Sequence, residues 1–181
     1  NVKKRKVDTR SKEDRKKIPG KDLVNQGHPL GIEILKLVFN QVKRKMDGTL
    51  EELPAKHVGT GMGFERIVSI IQGVHGNYET DLLKPLLDET QRLAGQTETE
   101  RAANLTPYRV IADHVRSAAF LIADGVIPGN VGRNYVCRMI IRRAARFARK
   151  LNLTEPFMAH VARLVVENYQ AAYPELKANA E

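Results

Sequence analysis

The 181-residue chain has one cysteine, Cys137, which excludes an intrachain disulfide and reads as a structural thiol of a reducing compartment. No apolar run approaches the ~20 residues that span a bilayer, and no signal-peptide core stands at the N-terminus. A cytoplasmic protein that does not enter membranes is therefore expected. The five histidines, His28, His57, His75, His114 and His160, lack metal-ligand spacing, and one cysteine cannot complete a zinc site. Internal repeats and low-complexity segments are lacking as well. One further absence is local: Pro128 to Leu151 contains no acidic residue.

That stretch, PGNVGRNYVCRMIIRRAARFARKL, carries six arginines and one lysine, a charge of +7. Residues 1 to 22 carry +6, so with a total of +9 the remainder of the chain is at −4. Two basic regions on a mildly acidic body point to a polyanionic partner rather than to diffuse solubility charge. Read as a helix from Arg133, the stretch has Val136, Met139, Ile140, Ala144, Phe147 and Leu151 on the face expected to bury. Arg138, Arg142, Arg146 and Arg149 fall opposite. They span about 16 Å at the helical rise, enough for several successive phosphates, and arginine favours forked contacts to them. The competing reading is a solvated face paired with acids elsewhere, but the helix has no acid for i,i+4 pairs.

Along the chain, residues 1–24 read as a basic, partly disordered arm, with one helical turn over Ser11 to Lys17. The KKRKV run at 3–7 resembles a nuclear-import signal, but such runs are common in basic arms. Ile32 to Met46 is ambiguous. Leu35, Val38, Phe39, Val42 and Met46 fit one helical face, whereas Asp47-Gly48 signals a hairpin turn; pattern alone leans to helix. Gly59, Gly61 and Gly63 precede a short apolar helix, a weak phosphate signal and more often a packing or turn requirement. Further helices are expected from Thr80 to Leu93 and from Thr106 (as N-cap) to Asp124, with core positions Val110, Ile111, Val115, Ala118, Ala119 and Ile122. A last one runs from a Thr154 cap to Tyr169, on a stripe of Met158, Val161, Val165 and Tyr169. Gln96 to Leu105 reads as a polar linker, and Lys177 to Glu181 as a fraying tail. Asp113 should pair with Arg109 and Arg116. His114 beside Asp113 is read as a capping, packing or surface residue, and Tyr108 and Tyr135 as packing residues rather than stacking platforms.

Several blocks resemble bacterial alanyl-tRNA synthetases: VDTRSKEDRKKIPGKDLVNQGHP at 7–29, DGTLEELPAKHV at 47–58, TGMGFER at 60–66 and NYETDL at 77–82. YRVIADHVRSAAFLIADGVIP at 108–128 and GNVGRNYVCRMIIRRAAR at 129–146 are the most specific. The resemblance covers nearly the whole chain. It implies an α+β, predominantly α fold: a short antiparallel hairpin left from a class II synthetase sheet, then a bundle of about five helices. It also implies a division into the arm at 1–24, a catalytic-domain remnant at 25–76 and a helical domain at 77–181 that holds the tRNA acceptor stem and reads its G·U pair. TGMGFER resembles motif 3, whose arginine, here Arg66, grips the ATP phosphates; Gly61 and Gly63 complete a vestigial ATP site. The family uses an asparagine before the arginine helix and arginines within it to read the G·U pair. Asn130 and Arg142 or Arg143 carry that role over, with Arg133, Arg138, Arg146 and Arg149 completing the tRNA-binding set. ATP and Mg serve the parent family; none is expected to bind this chain, and a monomer is expected.

Departures from the family matter as much. Gly59 replaces the aspartate that holds the amino group of alanine. EILKLVF puts Leu35 and Lys36 where the family has Trp and Asn, and Lys3, Lys4, Arg5 and Lys6 stand where it has an apolar strand. Motif 1, most of motif 2, the second G·U-reading segment and the editing domain with its HxxxH motif are not in the chain. The expectation is a tRNA-binding piece of an alanine–tRNA ligase, excised and resurfaced, without catalytic residues of its own. A minimal ATP-dependent synthetase core and a scaffold binding polyanions non-specifically are the alternatives.

Overall fold

The computed structural model describes residues 2–8, 20–23, 26 and 31–180. The chain divides into two compact units, Asn1–Thr80 and Asp81–Glu181. The architecture is the expected α+β type, with an antiparallel sheet ahead of a predominantly helical part.

In the first unit the strands β1 (Val2–Asp8), β2 (Gly31–Arg44) and β3 (Leu50–Met62) form one antiparallel sheet in the order β1-β2-β3, followed by helix α1 (Phe64–Ile71). The helix that periodicity favoured over 32–46 is therefore corrected to a strand. Two local facts decide it. Asp47 accepts from the Thr49 amide at 2.9 Å and from its hydroxyl at 2.7 Å, and Gly48 takes a φ of +86°, so the chain reverses there. The register then slips between Asn40 and Val42, which moves later side chains to the other face and gives a strand the look of helical spacing. The arm is corrected too: Val2–Asp8 pairs with β2 from Val38 back to Gly31 as an edge strand, a place that tolerates lysine. The helical turn proposed at Ser11 to Lys17 lies outside the described residues.

Phe39 and Val58 face each other across β2 and β3, and both remain exposed, as do Met62, Phe64 and Ile71. Lys36 is exposed too and, three residues before Phe39 in the strand, belongs to the opposite face of the sheet.

The second unit is built around α4 (Leu105–Ala123), against which α2 (Lys84–Ala94), α5 (Gly132–Ala148) and α6 (Met158–Tyr169) pack; α3 (Glu98–Ala103) and α7 (Pro174–Ala178) are short. The core line of α4 is Tyr108, Ile111, Ala112, Val115 and Ala118, whereas Ile122, expected inside, is exposed. Helix α2 starts at Lys84 rather than Thr80, and it ends on Gly95 in the left-handed conformation.

The linker expected at Gln96 to Leu105 is largely helix α3, nucleated by a capping box. Thr97 accepts from the Glu100 amide at 3.3 Å, and the Glu100 carboxylate accepts from the Thr97 amide at 2.7 Å. Helix α4 begins at Leu105, so Thr106 is not its cap and Pro107 lies in the first turn, where its missing N–H costs nothing. Thr154 is likewise not the cap of α6, because Pro156 restrains the preceding residue and delays the start to Met158. The tail docks instead of fraying at Lys177: Leu176 is buried, and Asn179 donates to the Ala123 carbonyl at 3.0 Å.

A charged knot ties α2, α3 and α4 together. The buried Arg101 guanidinium donates to Asp88 at 2.5 Å and Gln91 at 2.8 Å and lies 5.9 Å from the Tyr108 ring, while Lys84 reaches Asp88 at 2.6 Å. Burial raises the pKa of the Asp88 carboxyl, but the hydrogen bonds and charges of Lys84 and Arg101 outweigh it and hold the group below its usual value. A carboxylate depressed in the folded state stabilises above its unfolded pKa, and that contribution fades as pH falls through the folded one. The stability difference between wild type and Asp88→Asn is therefore expected to be constant above about pH 5 and to shrink below about pH 4. Thermal melts of both proteins across that range check it.

Candidate nucleic-acid interface

Helix α5 buries Cys137, Ala144 and Ala148, with Leu151 following in the 3-10 turn Arg149–Leu151. Small side chains let α5 approach α4 closely, so they, not the larger apolar ones, form the contact line. This corrects the expected stripe: Val136 and Met139, each 47% exposed, lie outside the core. Ala144 and Leu151 are buried as expected, and Ile140 and Phe147 are half-buried.

Arg133, Arg138, Arg142, Arg143, Arg146 and Arg149 are all exposed. Among the described residues none of them has a carboxylate partner. Arg138, Arg142, Arg146 and Arg149 form one line, whereas Arg143 lies 5.8 Å from the Phe147 ring, which Lys150 also approaches at 4.9 Å. Arg133 stands in the first turn, where the helix dipole disfavours a cation and favours an anion. Arg146 and Arg149 stand at the opposite end, where the dipole favours cations.

The loop before α5 is fastened by Asn134. Its side-chain amide donates to the Ile127 carbonyl at 2.7 Å, and its own carbonyl accepts from the Gly129 amide at 3.0 Å. A Cβ at Gly129 would sit 3.0 Å from the Cβ of Asn134, and Gly132 opens the helix at a φ of +55°, so both glycines have steric causes. Between them Asn130 is exposed, with no hydrogen-bond partner among the described residues. The turn presents its amide at the same end of α5 as Arg133.

Cys137 is fully buried, and burial raises the pKa of its thiol. Alkylation at pH 8 should run roughly a hundredfold slower in the native protein than in denaturant, because the thiol reacts only on local opening. A thiol-reagent time course measures this directly.

In the first unit, Gly61 lies in β3 opposite Lys36, and a Cβ there would meet nothing within 4 Å. Gly63 caps α1 in extended conformation, and a Cβ on it would come within 3.0 Å of the Arg66 side chain. Arg66 thus folds back across the helix start and donates to the Glu33 carbonyl at 2.7 Å. Among the described residues no group of three or more His, Cys, Asp or Glu could hold a metal, and no helix is long and apolar enough to cross a membrane.

Arg116 reaches Asp113 at 3.5 Å, the expected pairing. The His114 Nδ1 lies 3.3 Å from Asp113 despite their sequence adjacency, and its Nε2 is buried without a hydrogen bond. Tyr108 is fully buried and donates to Gln96 at 2.5 Å, as a packing residue should. Tyr135 does not pack: it is 51% exposed.

The sequence pattern of the tRNA synthetases class II (A) family matches residues 2–181. The alanine–tRNA ligase of Christiangramia forsetii is 48% identical over 172 residues, 94% of this chain and 20% of that protein. The enzyme of Bacteroides fragilis is 46% identical over 176 residues, 97% of this chain and 20% of the relative. That of Roseiflexus sp. is 46% identical over 158 residues, 87% of this chain and 17% of the relative. Near-complete coverage of this chain at that identity leaves one conclusion: it belongs to the class II (A) tRNA synthetases, in the alanine–tRNA ligase family, and spans about a fifth of the length of those curated relatives.

Proposed function

We propose that the chain binds the acceptor stem of alanine tRNA through the exposed face of α5, as a single copy and without aminoacylating on its own. The observation that carries this is the line of Arg138, Arg142, Arg146 and Arg149, exposed and without carboxylate partners among the described residues. These four hold phosphates, and Arg133 adds a fifth cation at the helix start. Asn130 and Arg143 approach base edges in the shallow minor groove of A-form RNA, where a G·U pair displays a free amino group. The Asn130 side-chain oxygen accepts from that group. Arg66, Gly61 and Gly63 remain as a vestige of an ATP site.

Filter binding of an acceptor hairpin carrying G·U against its G·C variant tests the reading. The G·U hairpin is expected to bind about fivefold more tightly, the worth of one net hydrogen bond of ~1 kcal/mol. Absence of binding to either hairpin at ~50 mM salt overturns it, since phosphate contacts are strongest there.

A further inference from the structure

The line that continues through Arg138, Arg142, Arg146 and Arg149 does not begin with an arginine. One turn earlier on the same face stands Tyr135, half exposed, with no hydrogen bond or ring contact among the described residues. Val136 and Met139 flank it and are nearly as exposed, and Ile127 and Val131 of the preceding loop are more so. An aromatic ring amid apolar side chains is no partner for phosphate, yet it sits at the head of a row that serves nothing but anions. The helical rise puts Tyr135 only ~4.5 Å before Arg138 along the axis, so whatever it touches adjoins the phosphate held there.

A duplex offers no base face at such a point, because its bases are stacked on one another. An unpaired nucleotide does, and an exposed tyrosine is a sequence-tolerant platform for it. We propose that Tyr135, supported by Val136 and Met139, stacks on the first unpaired nucleotide beyond the duplex held by the arginines. The site then reads a junction between double and single strand, not a duplex alone. This rests on the RNA-binding reading above and adds to it a residue that selects the end of a stem. Charge complementarity favours a nucleic acid over an apolar protein segment as the occupant, since Arg133, Arg138 and Arg142, exposed and without carboxylate partners among the described residues, lie within two turns of Tyr135.

The test compares an RNA hairpin bearing a four-nucleotide 3′ overhang with the same hairpin blunt, for wild type, Tyr135→Ala and Tyr135→Phe. The exposed position keeps all three folded, which circular-dichroism melts verify. Wild type is expected to prefer the overhang. Tyr135→Ala should lose about tenfold in affinity for it and at most about twofold for the blunt hairpin, with an unchanged salt slope, while Tyr135→Phe retains the preference. A 2-aminopurine at the first overhang position should be quenched on binding to wild type and Tyr135→Phe but not to Tyr135→Ala.

Equal loss on both hairpins, no loss on either, or no preference of wild type for the overhang overturns the proposal. Displacement of the overhang hairpin by polyglutamate at equal charge concentration, weakened to the same extent by Tyr135→Ala, overturns it in favour of an acidic protein partner. Failure of wild type to bind either hairpin at ~50 mM salt instead overturns the RNA-binding reading itself.

Discussion

Replacing Arg138 and Arg142 together by alanine should lower the affinity for an acceptor hairpin about 100-fold at ~50 mM salt. Each removes a charge-assisted contact of roughly 1.5 kcal/mol or more, and about 1.4 kcal/mol is a factor of ten. The salt dependence should change along with the affinity. Two lost phosphate contacts reduce the slope of log K against log[salt] by about 1.5 to 2, so the gap between variant and wild type narrows as salt rises. Both side chains are exposed and without carboxylate partners among the described residues, so thermal stability should stay within about 0.5 kcal/mol of wild type. A loss that is independent of salt would place these arginines in a structural role. Salt titrations of hairpin binding, paired with melts, separate the two.

The second large effect is on stability. Leu86 of α2 is fully buried in the second unit, beside the equally buried Leu87 and the core line of α4. Leu86→Ala removes three carbon atoms from a close-packed site and should cost about 2 to 5 kcal/mol, with the upper end reached where the neighbours cannot collapse. For a unit of this size each kcal/mol shifts the melting temperature by about 4 to 8 °C, so a fall of about 8 °C or more is expected. Because α5 presents its arginines only while α4 supports its buried side, RNA affinity should vanish at the same temperature as the helical signal. Calorimetry and hairpin binding across the transition check both.

The contrast between these variants explains what could be read in advance. Helices α4 and α6 were legible because their ends carry local signals and their middle is amphipathic; only the first turns were misplaced, at Thr106 and Thr154. Helix α3 was missed, because its polar composition made it resemble a linker, although the spacing of Thr97 and Glu100 is that of a capping box. The face of α5 was assigned largely by apolar bulk, and that rule placed Val136 and Met139 inside with Ala144 while leaving out Ala148. Helix packing rewards close approach as well as apolar bulk, and nothing in the order of residues states which will govern. For the same reason Tyr135 read as a packing residue until its exposure was seen.

In the first unit, Asp47-Gly48 marked the hairpin while the spacing of Leu35, Phe39 and Val42 argued for a helix. The pairing of β2 with β3 and the slip near Asn40 resolve that conflict, because strand register is a relation between distant residues.

The sequence by itself determined the polyanion-facing character of Pro128 to Leu151 and the family, because charge and motif are properties of residues in order. Only the tertiary structure decided that the six arginines of that stretch stay unpaired among the described residues, that small side chains set which way α5 turns, and that Asn134 fastens the loop presenting Asn130. Those are outcomes of packing, in which each helix face is chosen by what lies against it.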